Sequence, residues 1–240
     1  MKGLSVFLFF FFCVATAFAQ YNDSTFYRIN VTSTGSINKT NDGRSYLLNN
    51  GLNFGIKKKD VVLSANNTFV YGNQNSTLTN RDLSSSLLFN LYKTLPRFYY
   101  WGLLNYNTSY SLKINNQILG GVGVAYSIID TKDAYINFSD GVLYDKSNLL
   151  GGALDYNTYR NSFRLNYHFA INQFITLDGS NFLQSSLKDG SDYIIKSTNS
   201  ISFKLNKWIN LTSSLNYNRM NITSRENLLF TYGLSFDKYF

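Results

Sequence analysis

The stretch 228–240, LLFTYGLSFDKYF, constrains the fold most tightly. Reading back from Phe240 in steps of two gives Lys238, Phe236, Leu234, Tyr232, Phe230 and Leu228, all large and apolar or aromatic except the lysine. The residues between them, among them Asp237, Ser235, Gly233 and Thr231, are mostly small or polar. Successive side chains of a strand point to opposite faces, so this is a strand with one greasy and one wet side. Such a stripe suits a lipid-facing wall. In hydrocarbon a strand is tolerated only when its backbone is paired inside a closed sheet.

The same parity recurs along the chain. Tyr27, Ile29, Val31 and Ile37 share one face, as do Tyr46, Leu48, Leu52, Phe54 and Ile56, and Phe98, Tyr100, Leu104, Tyr106, Tyr110 and Leu112. The weakest segment holds Ile175, Leu177 and Leu183. Counted to the end, twelve strands are expected. Short turns fall near residues 58, 95, 131, 172 and 207, at intervals of roughly 37 residues, with longer polar stretches such as 73–80 between them. Alternating short turns and longer loops is how outer-membrane barrels divide their connections between periplasm and exterior, and an even strand count leaves both ends periplasmic. The expected fold is therefore an all-β transmembrane antiparallel β-barrel of about twelve strands, with short periplasmic turns and longer outer loops. Pro96 sits at a turn, where a sheet tolerates it.

Composition excludes the competing classes. Charged residues make up 15% of the chain and aromatics 17%, against roughly 25% charged in soluble domains. A secreted β-sandwich needs neither so little charge nor an apolar stripe on every strand. Residues 1–19 read as a secretory signal peptide: Lys2, an apolar run, then Ala17-Phe18-Ala19 ahead of a cleavage point before Gln20. The run is too short to span a bilayer as a helix. Residues 20–240 then form one outer-membrane domain. The only cysteine is Cys13, inside the leader, which leaves no thiol for disulfides, thiolate metal sites or cysteine nucleophiles.

The second parity faces the lumen and is rich in Asn, Ser and Thr. Gly121, Gly123 and Ala125 lie on it, where bulk would collide in a narrow interior. Its charges lean positive, with Arg28, Arg160, Arg164, Lys196 and Lys204 against Asp82, Asp178 and Asp237. Two readings fit: a narrow, mildly anion-favouring passage or cavity, or ions that pair across a plugged lumen and stiffen it, and the second is the better account of these residues. Arg160, Arg164 and His168 are the lumen-lining candidates. The net charge of +8 is spread over strand ends, as at Lys57, Lys58, Lys59, Lys93, Arg97 and Lys132, which suits lipid head groups better than nucleic acid.

An enzymatic reading would have to use His168, the only histidine, as the base of a lipid-modifying hydrolase. Its parity points it inward beside Arg160 and Arg164, and the next residue on its face is Ala170 rather than a serine. A satisfied lumen histidine is the better account. No acidic cluster near it offers metal-ligand spacing, and no cofactor is implied. The expected function is a non-enzymatic barrel, either a narrow channel or an envelope-structural protein.

Gly120-Gly121-Val122-Gly123-Val124-Ala125-Tyr126, Asp140-Gly141-Val142-Leu143-Tyr144 and the ending Tyr232-Gly233-Leu234-Ser235-Phe236 resemble the outer-membrane proteins called salt-stress-induced, a bacterial β-barrel family classed as a domain of unknown function. The resemblance implies a barrel in the bacterial outer membrane and brings no site residues. The last strand also resembles the signal read by the barrel-assembly machinery, through Thr231, Gly233 and Phe236, with Lys238 in place of the second aromatic. Outer-membrane lipids and that machinery are the expected partners of a monomer.

Overall fold

The computed structural model describes residues 25–41, 43–95, 97–131, 133–149, 155–172 and 174–240. The expected leader at 1–19, Pro96 and Lys132 lie outside the described residues. Twelve antiparallel strands follow one another: β1 (Thr25–Lys39), β2 (Arg44–Lys58), β3 (Val61–Gln74), β4 (Thr77–Leu95), β5 (Phe98–Ser109), β6 (Ile114–Asp130), β7 (Ala134–Leu149), β8 (Asp155–Ile171), β9 (Ile175–Ser186), β10 (Tyr193–Lys204), β11 (Ile209–Met220) and β12 (Arg225–Tyr239). Each pairs with its neighbours in sequence, and β12 returns to β1 with Arg28 opposite Tyr239 and Gly35 opposite Tyr232. The sheet is a closed barrel.

Closure leaves no strand edge, so the backbone polar groups of the wall are paired within it. The alternation then sorts the side chains as the sequence requires. Val122, Leu228, Phe230 and Leu104 stand exposed on the outside, whereas Thr212, Thr231 and Ser235 on the other parity are buried. Towards each rim the outer wall carries aromatic pairs. Tyr46–Tyr71 and Tyr144–Tyr159, with centroids 6.1 and 5.3 Å apart, lie near one end; Phe98–Tyr126, at 4.8 Å, lies near the other. Such girdles mark the two interfaces of a membrane barrel.

The outer wall also holds polar residues between the girdles, and these bond to one another. Asn161 donates to Asp140 (2.8 Å), Ser33 to Asn50 (2.9 Å) and Ser85 to Asn67 (2.6 Å). Across β8–β10 the Tyr167 hydroxyl donates to Asn199 (2.7 Å) and Ser197 donates to Asn181 (2.6 Å). The Tyr167 ring covers Gly179, where a Cβ would lie 2.1 Å from it. Pairing across strands is what makes these groups tolerable in hydrocarbon.

The rim that carries both chain ends has connections no longer than residues 205–208; the opposite rim reaches its longest at 187–192. One stretch expected as loop, 73–80, is strand on both sides of a turn at Asn75 and Ser76, whose φ values of 50° and 65° fit a type I′ hairpin.

Replacing Val122, at the midpoint of β6 and 69% exposed, by arginine should lower the urea-unfolding free energy of the membrane-folded protein by about 2–4 kcal/mol. Ser200→Arg, on the inward face of β10, should cost about 0.5 kcal/mol or less, with folding followed by the heat-dependent gel shift.

Candidate functional site

A barrel of eight strands is just filled by its own side chains, and one of sixteen leaves an open channel. Twelve strands fall between, and this interior is filled on one side only. On β5–β7, Tyr99, Trp101, Ala125 and Leu143 form a buried apolar cluster. The Trp101 ring lies flat over β6 and β7, because Gly123 and Gly141 face it: a Cβ on either would stand 2.6 or 2.5 Å from the ring. The inward small residues expected from the sequence therefore make room for a large neighbour on the same face. Tyr99 and Trp101 were not singled out by sequence, since aromatics occur on both parities from Phe98 to Trp101.

The remaining walls enclose a cavity of about 1450 Å³, bordered mainly by short amides and hydroxyls such as Asn30, Thr68, Ser84, Ser202, Thr212 and Asn216. It extends to the chain-end rim, where its border includes the exposed residues Lys57, Phe174 and Lys207. Two ion pairs lie on its wall. Arg28 donates to both oxygens of Asp237 across the β1–β12 seam, at 3.0 and 2.8 Å. His168 Nδ1 lies 2.7 Å from Asp178, with the ring stacked 5.4 Å from that of Tyr135. Lys57, Lys196, Lys204 and Lys207 border the cavity without an ion pair among the described residues, against Asp82 and Asp133. The balance of unpaired charge is positive.

Of the three residues singled out for the lumen, all point inward and only His168 borders the cavity. Arg164 is buried in the wall between Trp101 and Phe182, its guanidinium carbon 4.9 and 4.6 Å from the two ring centroids. Among the described residues its Nε and Nη2 find no hydrogen-bond acceptor, and the two aromatic faces stabilise this cation. Arg160 is fully buried near the opposite rim. It donates to Asp145 (2.7 Å) and to both oxygens and the main-chain carbonyl of Asp192 (3.0, 3.1 and 3.3 Å), with the Tyr156 hydroxyl bonded to Arg160 and Asp192 alike. Gln117 and Ser147 complete the shell of Asp145. Asp192 belongs to the 187–192 connection, which this cluster draws inward. In the same connection the amide and hydroxyl of Ser191 both donate to Asp189 and hold its carboxyl below the ordinary value.

At that rim the mouth of the cavity is occupied. Leu112, Ile114, Ile194 and Met220 form a second buried apolar cluster, with Leu149 against it. The sequence stripe assigns Leu112 to the outer wall, but β5 ends at Ser109 and the turn carries Leu112 inside. The reason lies on β4: the Asp82 carboxylate accepts hydrogen bonds from Ser109 Oγ (2.8 Å), Ser111 N (3.1 Å) and Ser111 Oγ (2.8 Å), which bends the chain inward.

The hydrolase alternative gains nothing here. Asp178 is the hydrogen-bonding partner of His168, and among the described residues no serine hydroxyl bonds its ring. Among the described residues no group of three His, Cys, Asp or Glu could hold a metal ion.

A family model described as "Protein of unknown function, DUF481" matches residues 30–229. It agrees with the expected family of barrels and makes no reference to salt stress. No curated protein sequence matches. Among solved structures the chain is similar to the NanC porin, at 12% identity over 87% of this chain and 98% of that one, with a TM-score of 0.53. It is also similar to an outer membrane channel from Pseudomonas putida F1, at 8% identity over 94% and 98%, with a TM-score of 0.52. Both likenesses concern the fold.

Because Arg160 is fully buried with two carboxylates, its removal strands them without a counter-charge. Arg160→Ala should destabilise the barrel by about 3–5 kcal/mol, read from urea unfolding in detergent micelles. Arg28→Ala, at a half-exposed pair, should cost about 1 kcal/mol or less.

Proposed function

The chain belongs to the DUF481 family, and we propose that it is a narrow channel of the bacterial outer membrane that passes small hydrophilic solutes and favours anions. The observation that carries this reading is the polar cavity itself: about 1450 Å³ inside a closed membrane wall, bordered by amides and hydroxyls that can exchange hydrogen bonds with water. A barrel with a purely structural role gains nothing from such a space, and filling it with apolar side chains would be more stabilising. The preference for anions rests on the unpaired lysines 57, 196, 204 and 207, which outnumber the unpaired carboxylates of Asp82 and Asp133. In this reading the outer wall meets outer-membrane lipid, β12 is the strand read by the assembly machinery, and the protein works as a monomer.

Refolded protein in a planar bilayer tests the proposal. In a KCl gradient the reversal potential should show anion preference, and the Lys196→Glu/Lys204→Glu double variant should move it towards cations. A folded double variant with an unchanged reversal potential would show that these lysines do not line the path.

A further inference from the structure

We propose that the turn at residues 110–113 is a gate, with Leu112 closing the cavity against Ile114, Ile194 and Met220 on the strands, so that conduction requires Leu112 to part from them. This inference rests on the channel reading above and names its control. Leu112, Ile114, Ile194 and Met220 are 8%, 5%, 2% and 0% exposed, so the four side chains are packed away from solvent. The cluster also crosses the lumen. β5 and β11 stand opposite each other in the ring of twelve, so the turn leaving β5 meets Met220 at the end of β11 only by spanning the bore. A second bond makes the same crossing, from Asn227 Nδ2 on β12 to Ser111 Oγ, at 3.2 Å. An apolar constriction of this kind stops ions by excluding water, without needing to fill the bore.

The two sides of the seal are built differently. Ile194 follows Asp192, which Arg160 holds through three hydrogen bonds in the buried ion cluster. Met220 ends a strand paired on both edges, opposite Ile194 on β10 and Arg225 on β12. That side is fixed. Leu112 instead sits in a turn outside the ladder, next to Lys113 with φ of 59°, and the turn has one internal backbone bond, Lys113 N to Tyr110 O at 3.3 Å. What holds it inward is the Asp82 carboxylate, through Ser109 and Ser111, and Asp82 itself borders the cavity. Water can replace those hydrogen bonds when the turn swings away, so the closed state is held by weak, exchangeable contacts. The wall does not have to unfold for the gate to open.

Two measurements test this on the refolded chain in planar bilayers. Leu112→Ser should raise the open fraction about tenfold, since it removes a buried leucine side chain from the seal. Asp82→Asn, which weakens the catch and leaves the apolar cluster intact, should act in the same direction. Leu112→Cys/Met220→Cys, joined by a short bifunctional thiol reagent that a reductant can cleave, should abolish conductance until reduced. A conducting cross-linked protein overturns the gate, as does a folded Leu112→Ser variant that conducts like the wild type. If neither the wild type nor any variant conducts at any voltage, the channel reading falls and takes the gate with it.

Discussion

Hydrocarbon offers no hydrogen bonds, so the closure of the ladder between β1 and β12 is the contact on which the whole structure depends. Tyr27 and Phe240 exchange backbone bonds at 3.2 and 2.9 Å, and the register then runs from Arg28–Tyr239 to Gly35–Tyr232. The two backbones come close enough at Gly233 that a Cβ there would lie 2.2 Å from the Ser33 carbonyl oxygen. Inside the seam Thr34 donates to Thr231 at 3.1 Å, and Arg28 bridges to Asp237. That ion pair is half exposed and adds little. The seam is held by main chain, and Lys238, standing where the assembly signal has an aromatic, places its ammonium over the rings of Trp208 and Phe240 at 5.4 and 4.6 Å.

Once the wall is closed, the interior must satisfy two demands that compete. Packing favours filling the bore, and a water-filled path needs polar walls. The chain divides the bore between them. Trp101, laid over two glycines and backed by Arg164, fills the β5–β8 side, while short amides and hydroxyls on the other strands leave the cavity open. The charges divide in the same way. Arg160 and Arg164 are absorbed into the packed side, one by two carboxylates and one by two aromatic rings, and the lysines remain on the open side. An inward arginine is thus not by itself a pore charge.

That division explains which parts of the structure were legible in the sequence. The period-two pattern specifies the face of nearly every strand residue, because a one-residue slip would put the whole polar set into lipid. It delivered the twelve strands and the barrel they form. It failed where both parities carry the same chemistry. Phe98-Tyr99-Tyr100-Trp101 and Ile194-Ile195 read as apolar on either face, so the inward members of each were missed. Leu112 was assigned to the outer wall because the stripe runs on past Ser109, and the bend there depends on Asp82, a partner on another strand. The outward Asn181 and Asn199 break the parity, and their tolerance rests on cross-strand bonds with Ser197 and Tyr167. The partners of Arg160 are as distant: Asp192 lies in a connection, with nothing in its surroundings to mark it for burial.

The features the sequence conceals are also those with freedom to move. A closed ladder commits its backbone to neighbours on both sides, so displacement of the wall costs many hydrogen bonds at once. Connections carry no such obligation. At the rim away from the chain ends, the 187–192 connection has surrendered its freedom to the Asp145–Arg160–Asp192 cluster, where any movement would expose or strand a buried charge. The turn at 110–113 is held instead by Ser111 and the adjoining Ser109, whose neutral donors bond one carboxylate that borders the cavity. The difference between the two lies in what their inward contacts would lose on leaving: an unpaired charge in one case, hydrogen bonds that water can replace in the other. A rigid barrel acquires a movable part wherever the second kind of contact crosses its bore, and here it crosses at Leu112.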